Sequence, residues 1–134
     1  MKYMLDTNIC VALIRHRPPA LLNKIQAFPI GDVGLSSISV AELQYGAQQS
    51  RHAAQNQQAL AQFLLPLVIA DFDYDAALAY GEIRAHLERQ GAPIGSMDTL
   101  IGAHAVSLGV TLVTNNLREF SRIPHLPVED WMTA

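Results

Sequence analysis

Short apolar runs alternate along the chain with longer segments whose apolar residues recur every three or four positions. Residues 1–5, ending in Tyr3-Met4-Leu5, have the pattern of a strand buried on both faces. Ile9 to Ile14 is apolar and predicts a helix, which the basic cluster Arg15-His16-Arg17 and then Pro18-Pro19 bring to an end. Residues 20–28 set Leu21, Leu22, Ile25 and Phe28 near one stripe, the signature of a short amphipathic helix. After a loop marked by Pro29, Gly31 and Asp32, residues 33–37 predict a second strand. A further helix opens at Ser39 and continues through Ala47. A polar link over 50–58 then leads to a helix near 59–65, closed by Pro66, and 67–70 predict a third strand. Asp73 can cap a helix over 74–90, with Gly91 as its stop. A loop over 92–96 precedes a helix from Met97 to Leu108, ended by Gly109. Residues 110–114 predict a fourth strand and 126–128 a short edge strand.

Strands that alternate with helices in this way favour a parallel sheet covered on both faces. The expected fold is therefore α/β: one domain over 1–134, a three-layer α/β/α sandwich around a mostly parallel sheet of four to five strands. Half of the 134 residues are hydrophobic and 16% are charged, which suits a packed domain rather than a disordered chain. No apolar run reaches the roughly 18 residues of a membrane span, and Asp6 interrupts any signal-peptide pattern. Cys10 is the only cysteine, so an intramolecular disulfide and a thiolate metal cluster are both excluded. These features predict a cytoplasmic protein. A net charge of −3 argues against a general nucleic-acid-binding surface, yet it is compatible with an enzyme that cuts nucleic acid with the help of metal-binding acids.

On this plan four polar residues fall at one edge of the sheet. Asp6 ends the first strand, Glu42 lies in the first turn of the helix after the second, and Asn116 follows the fourth. Asp98 opens the helix before that strand and joins them if its start faces the same edge. That edge is where open α/β sheets form their ligand crevice. Each residue has an ordinary role too: Asp6 as a helix cap, Ser39-x-x-Glu42 as a capping box, Asp98 as a partner of the helix dipole, Asn116 as a turn residue. Together they suggest more, because clustered carboxylates raise one another's pKa unless a cation intervenes. An oxygen-only set suits Mg²⁺ or Mn²⁺ rather than Zn²⁺. Such an ion orients and acidifies a water and stabilises charge on a phosphoryl oxygen, which is the chemistry of phosphodiester hydrolysis. Arg15, Arg17, Arg118 and Arg122 flank the expected crevice in sequence and are candidates to hold an RNA backbone, an ordinary solvated rim being the alternative. His104, on an apolar helix, reads as a satisfied interior histidine.

Met4-Leu5-Asp6-Thr7-Asn8, Ser37 to Leu43 with Tyr45-Gly46-Ala47, Gln90 to Gly95 with Asp98 and Ala103-His104-Ala105, and Val113 to Phe120 occur in an order that resembles the PIN-domain ribonucleases, specifically the VapC-type toxins of bacterial toxin–antitoxin pairs. Glu129-Asp130-Trp131 is similar to their C-terminus. The resemblance covers essentially the whole chain. It implies a Mg²⁺- or Mn²⁺-dependent endoribonuclease that stops translation, with a structured RNA, often tRNA in the anticodon loop, as substrate. It also implies a homodimer, silenced by a small VapB-type antitoxin whose peptide lies across the active site. Asp6, Glu42 and Asp98 match the family's three acids and metal ligands, and Asn116 matches a fourth position that is often Asp. Thr7 and Asn8 are accessory candidates, and Glu119 can supply the charge that Asn116 lacks. A haloacid-dehalogenase-type phosphatase wants a second Asp where Asn8 stands, and a non-catalytic flavodoxin-like module would not cut RNA.

Overall fold

The structure, a computed structural model, describes residues 1–132, so the last two residues of the expected domain, Thr133 and Ala134, lie outside it. Its strands are β1 (Tyr3–Leu5), β2 (Val33–Ser36), β3 (Val68–Ala70), β4 (Thr111–Val113) and β5 (Val128–Glu129). The helices are α1 (Thr7–Arg15), α2 (Pro19–Gln26), α3 (Ser37–Gln49), α4 (Ala53–Leu64), α5 (Tyr74–Arg89), α6 (Ser96–Leu108) and α7 (Leu117–Phe120). The sheet has the order β3-β2-β1-β4-β5 and every pair in it is parallel. The expected α/β sandwich is thus present, with its sheet wholly parallel. The chain builds outward from β1 through β2 to β3, then crosses back to add β4 on the other side. The crevice of such a sheet forms where the order reverses, here between β1 and β4.

β1 is central, and its alternating side chains feed both layers. Leu5 packs with Ile9, Leu13, Leu21 and Leu35 on one face, while Met4 packs with Ile101, Leu112 and Phe120 on the other. Trp131 stacks on Phe28 at 5.4 Å and meets Tyr3 edge-on at 4.9 Å, which anchors the segment after β5. Cys10 is fully buried in α1, and burial pushes its thiol pKa up, consistent with a core role. No helix among the described residues is long and apolar enough to cross a membrane.

Three details depart from the sequence reading. The polar link over 50–58 is mostly helix, because α4 begins at Ala53: Ala and Gln are adequate helix formers, and 53–58 holds neither Gly nor Pro. α3 begins at Ser37, capped by Ser36, whose hydroxyl accepts from the Ile38 N–H at 3.0 Å. Glu42 therefore sits in the second turn, and Ser39-x-x-Glu42 forms no capping box. α7 was not expected. Its single turn is held by Phe120, which is fully buried.

Candidate active site

Asp6 stands one residue beyond the last β1 pairs, Leu5 with Leu35 and Leu5 with Val113, so Ser36, the last residue of β2, and Thr114, just past β4, flank it. It is only 3% exposed. One carboxylate oxygen, Oδ1, accepts from the Ile9 N–H at 2.8 Å and caps α1; the other, Oδ2, accepts from Thr114 Oγ1 at 2.5 Å. The expected cap and the candidate site are thus the same side chain. Burial pushes the pKa of Asp6 up to about 6, against the lowering effect of those two hydrogen bonds, and the charges of Asp98 and Glu42 push the same way.

The neighbours are held by a set of hydroxyls. Thr7 donates to Glu42 Oε1 at 2.7 Å, and its oxygen lies 3.0 Å from the fully buried Ser39 hydroxyl. Thr114 Oγ1 accepts from the Asn116 N–H at 2.9 Å, so the same hydroxyl that meets Asp6 also sets the turn after β4. Asn116 Nδ2 then donates to Glu119 Oε2 at 3.3 Å. Asp98, the third residue of α6, is half-buried; its pKa is raised by burial first, then by the charges of Glu119 and Glu42. Asp6, Glu42, Asp98 and Glu119 therefore form one electrostatic group. Neither of the ion pairs among the described residues, Lys2–Asp32 and Arg84–Glu88, involves any of the four.

The structure does not bring every candidate to this group. Arg15 closes the nine-residue α1, about 12 Å along the axis from Thr7, and Arg17 lines an apolar cavity with Leu13 and Leu22. The antiparallel return of a helix after its strand carries both arginines to the edge opposite Asp6. Arg118 and Arg122 stay beside α7, and Arg122 Nη1 donates to the Pro93 carbonyl at 3.2 Å, tying α7 to the loop before α6. Asn8, the second residue of α1, is exposed. Thr114 and Ser39 were missed; the available signal was a hydroxyl at a strand end or within an apolar helix turn, where a buried polar group needs a partner.

The donor set fits a hard divalent cation: carboxylates, an amide and hydroxyls, with mutually unfavourable charge and no basic side chain paired with them. Among the described residues no three acids converge closely enough to hold an ion as they stand. Glu42 is bonded to Thr7 and Glu119 to Asn116. Each carboxylate oxygen of Asp6 accepts one hydrogen bond, which fixes the group and leaves each oxygen further acceptor capacity.

A family model described as PIN domain matches residues 3–126. The chain belongs to the PIN-domain family, among its VapC ribonucleases. It is 46% identical over 132 residues to Ribonuclease VapC2 of Rickettsia felis, spanning 98% of each chain. It is 41% identical over 131 residues to the tRNA(fMet)-specific endonuclease VapC of Salmonella typhimurium, again with 98% of each covered. A crystal structure of VapBC2 from Rickettsia felis bound to a DNA fragment from their promoter superposes with a TM-score of 0.93 at 45% identity, covering 98% of this chain and 99% of that one.

Proposed function

We propose that this protein is a Mg²⁺- or Mn²⁺-dependent endoribonuclease toxin that cuts tRNA and so stops translation in the cytoplasm. The observation that carries the reading is the buried Asp6 at the β1–β4 switch point, acted on by the charges of Glu42 and Asp98 with no basic partner, Asp98 being acted on in turn by Glu119. Asp6, Glu42 and Asp98 would hold the ion, with Asn116 contributing an amide oxygen. Bound there, the ion would supply Lewis-acid polarisation of the scissile phosphate and a more acidic water. The chain's own part is positional. Thr114 and the α1 amide favour the ionised form of Asp6 and hold its carboxylate in place, and Thr7 holds Glu42. Arg118 and Arg122, on and just after α7 with Glu119, are the arginines left as candidates for a phosphate backbone.

The relative named as a tRNA(fMet)-specific endonuclease makes initiator tRNA the first substrate to test. Purified protein incubated with total tRNA should cut one or a few species, with cleavage abolished by EDTA and restored by Mn²⁺. Cleavage that survives chelation, or that is indifferent to Asp6→Asn, would overturn the metal reading.

The same reading assigns a VapB-type antitoxin partner, supported by the VapBC complexes of the relatives, and the resemblance adds a homodimeric assembly. Its physical counterpart is a cavity of about 610 Å³ walled by α1, α2 and α4, lined by Leu13, Leu22, Ile25, Phe28, Phe63 and Leu67. Ile30, at its rim, is 89% exposed. An apolar trough of this size suits the apolar face of a short partner helix.

A further inference from the structure

We propose that His104 is a positioning residue: it locks α6 to the β2–α3 junction and thereby sets where Asp98 stands relative to Glu42. This rests on the reading of the acids as a metal-dependent ribonuclease site. Around the acids, α1 and α3 are tied directly by Thr7 with Glu42, and the chain just after β1 and just after β4 by Asp6 with Thr114. For Asp98 the tie runs through its helix. His104 lies six residues after Asp98 on α6, about 9 Å along the axis, and is fully buried. Its Nδ1 is 2.8 Å from Ser36 Oγ, the hydroxyl that caps α3, the helix of Glu42. Its ring meets Phe72 edge-on at 5.3 Å, and the Phe72 N–H donates to Ser37 Oγ at 3.1 Å. Ser36 and Ser37, the last residue of β2 and the first of α3, are thus gripped from α6 and from the loop before α5.

The other ring nitrogen, Nε2, is buried and makes no hydrogen bond of good geometry, although the Asp71 backbone acts on the ring. Burying an imidazole costs desolvation that a leucine would avoid. A directional bond also does what leucine cannot: it fixes the register of α6 against α3, and with it the gap between two acids that must meet one ion. Burial lowers the pKa of the ring, so it stays neutral and adds no charge of its own to the acid group. The role is geometric.

The test compares H104N, H104L, S36A and the S36A/H104L double variant with wild type. Folding is followed by circular dichroism and melting, cleavage by kcat and KM on the tRNA that wild type cuts, and Mn²⁺ affinity by calorimetry without RNA. Removing a group that orients a ligand-bearing element should lower kcat about 10- to 100-fold in H104L and weaken Mn²⁺ binding about tenfold, with KM held within about twofold. H104N, which keeps a hydrogen-bonding atom near the place of Nδ1, should recover most of both. The double variant should be no worse than the worse single one, because both remove the same bond. Wild-type kcat and Mn²⁺ affinity in H104L, additive losses, or H104N no better than H104L would each overturn the proposal. Should H104L fail to fold, S36A and H104N decide: losses in S36A with H104N near wild type support it, and wild-type behaviour of S36A overturns it. A wild type that neither binds Mn²⁺ nor cuts RNA removes the site reading itself, and the positioning role falls with it.

Discussion

Thr114, at the end of β4, donates to Oδ2 of Asp6 at 2.5 Å, joining residues 108 positions apart. A hydrogen bond to a carboxylate favours its ionised form, and here it opposes the burial that raises the Asp6 pKa to about 6. Thr114→Val, which keeps the shape and removes the donor, should raise that pKa further. The acidic limb of the pH–rate profile should move up by about one to two units, since such a bond is worth about 1.5–3 kcal/mol. An unmoved limb would show that Thr114 does not tune Asp6.

The same pKa has a stability consequence. An acid whose folded pKa lies above its unfolded value contributes stability below pH 3.8 and loses it as pH rises through about 6. Ionised Asp6 therefore destabilises the metal-free fold at neutral pH, by about 3 kcal/mol as an order of magnitude. Asp6→Asn should be inactive yet more stable in EDTA above pH 7, with the advantage fading as pH falls towards 4. Mg²⁺ should narrow the gap by stabilising only the wild type. Thermal melts across pH, with and without Mg²⁺, measure both effects.

Asn116 and Glu119 share a hydrogen bond, and Glu119 is the leading charge acting on Asp98. A neutral amide adds no charge to offset a second cation, so one tight Mn²⁺ site is expected in the RNA-free protein. Asn116→Asp should tighten Mn²⁺ binding, and Asn116→Ala should cost less activity than Asp98→Ala. Glu119→Gln should lower the Asp98 pKa and weaken Mn²⁺ binding about tenfold. Calorimetric titration separates these, and two tight sites in the wild type would contradict the one-ion expectation.

Ile30 projects from the rim of the apolar cavity and is 89% exposed, so Ile30→Asp should leave folding and nuclease activity unchanged. It places a charge where the antitoxin is proposed to dock. Affinity for the co-expressed antitoxin should fall at least tenfold, by about 1.4 kcal/mol or more. Toxicity should therefore return at antitoxin levels that silence the wild type. Unchanged affinity would move the docking surface elsewhere.

Much of this protein was legible in one dimension because the signals are local. Apolar runs of strand length, Asp73 before α5 and the glycines after α5 and α6 each act within a few residues, and Gly91 and Gly109 do take the left-handed conformation that ends a helix. The alternation of strand and helix then limits the topology to a parallel sheet, which brings Asp6 and the turn after β4 to one edge. Boundaries that depend on burial were less legible. Nothing in residues 53–58 marks an amphipathic face, and α7 exists because Phe120 reaches a core assembled from distant segments. The arginines show the limit most clearly: Arg15 lies near Asp6 in sequence, but a helix of nine residues carries it to the far edge. Only the folded chain pairs Thr114 with Asp6, Thr7 with Glu42 and Ser36 with His104. Those bonds join positions 35 to 108 residues apart, and no local pattern encodes which hydroxyl will meet which acid; that is decided by strand register and by how the helices pack.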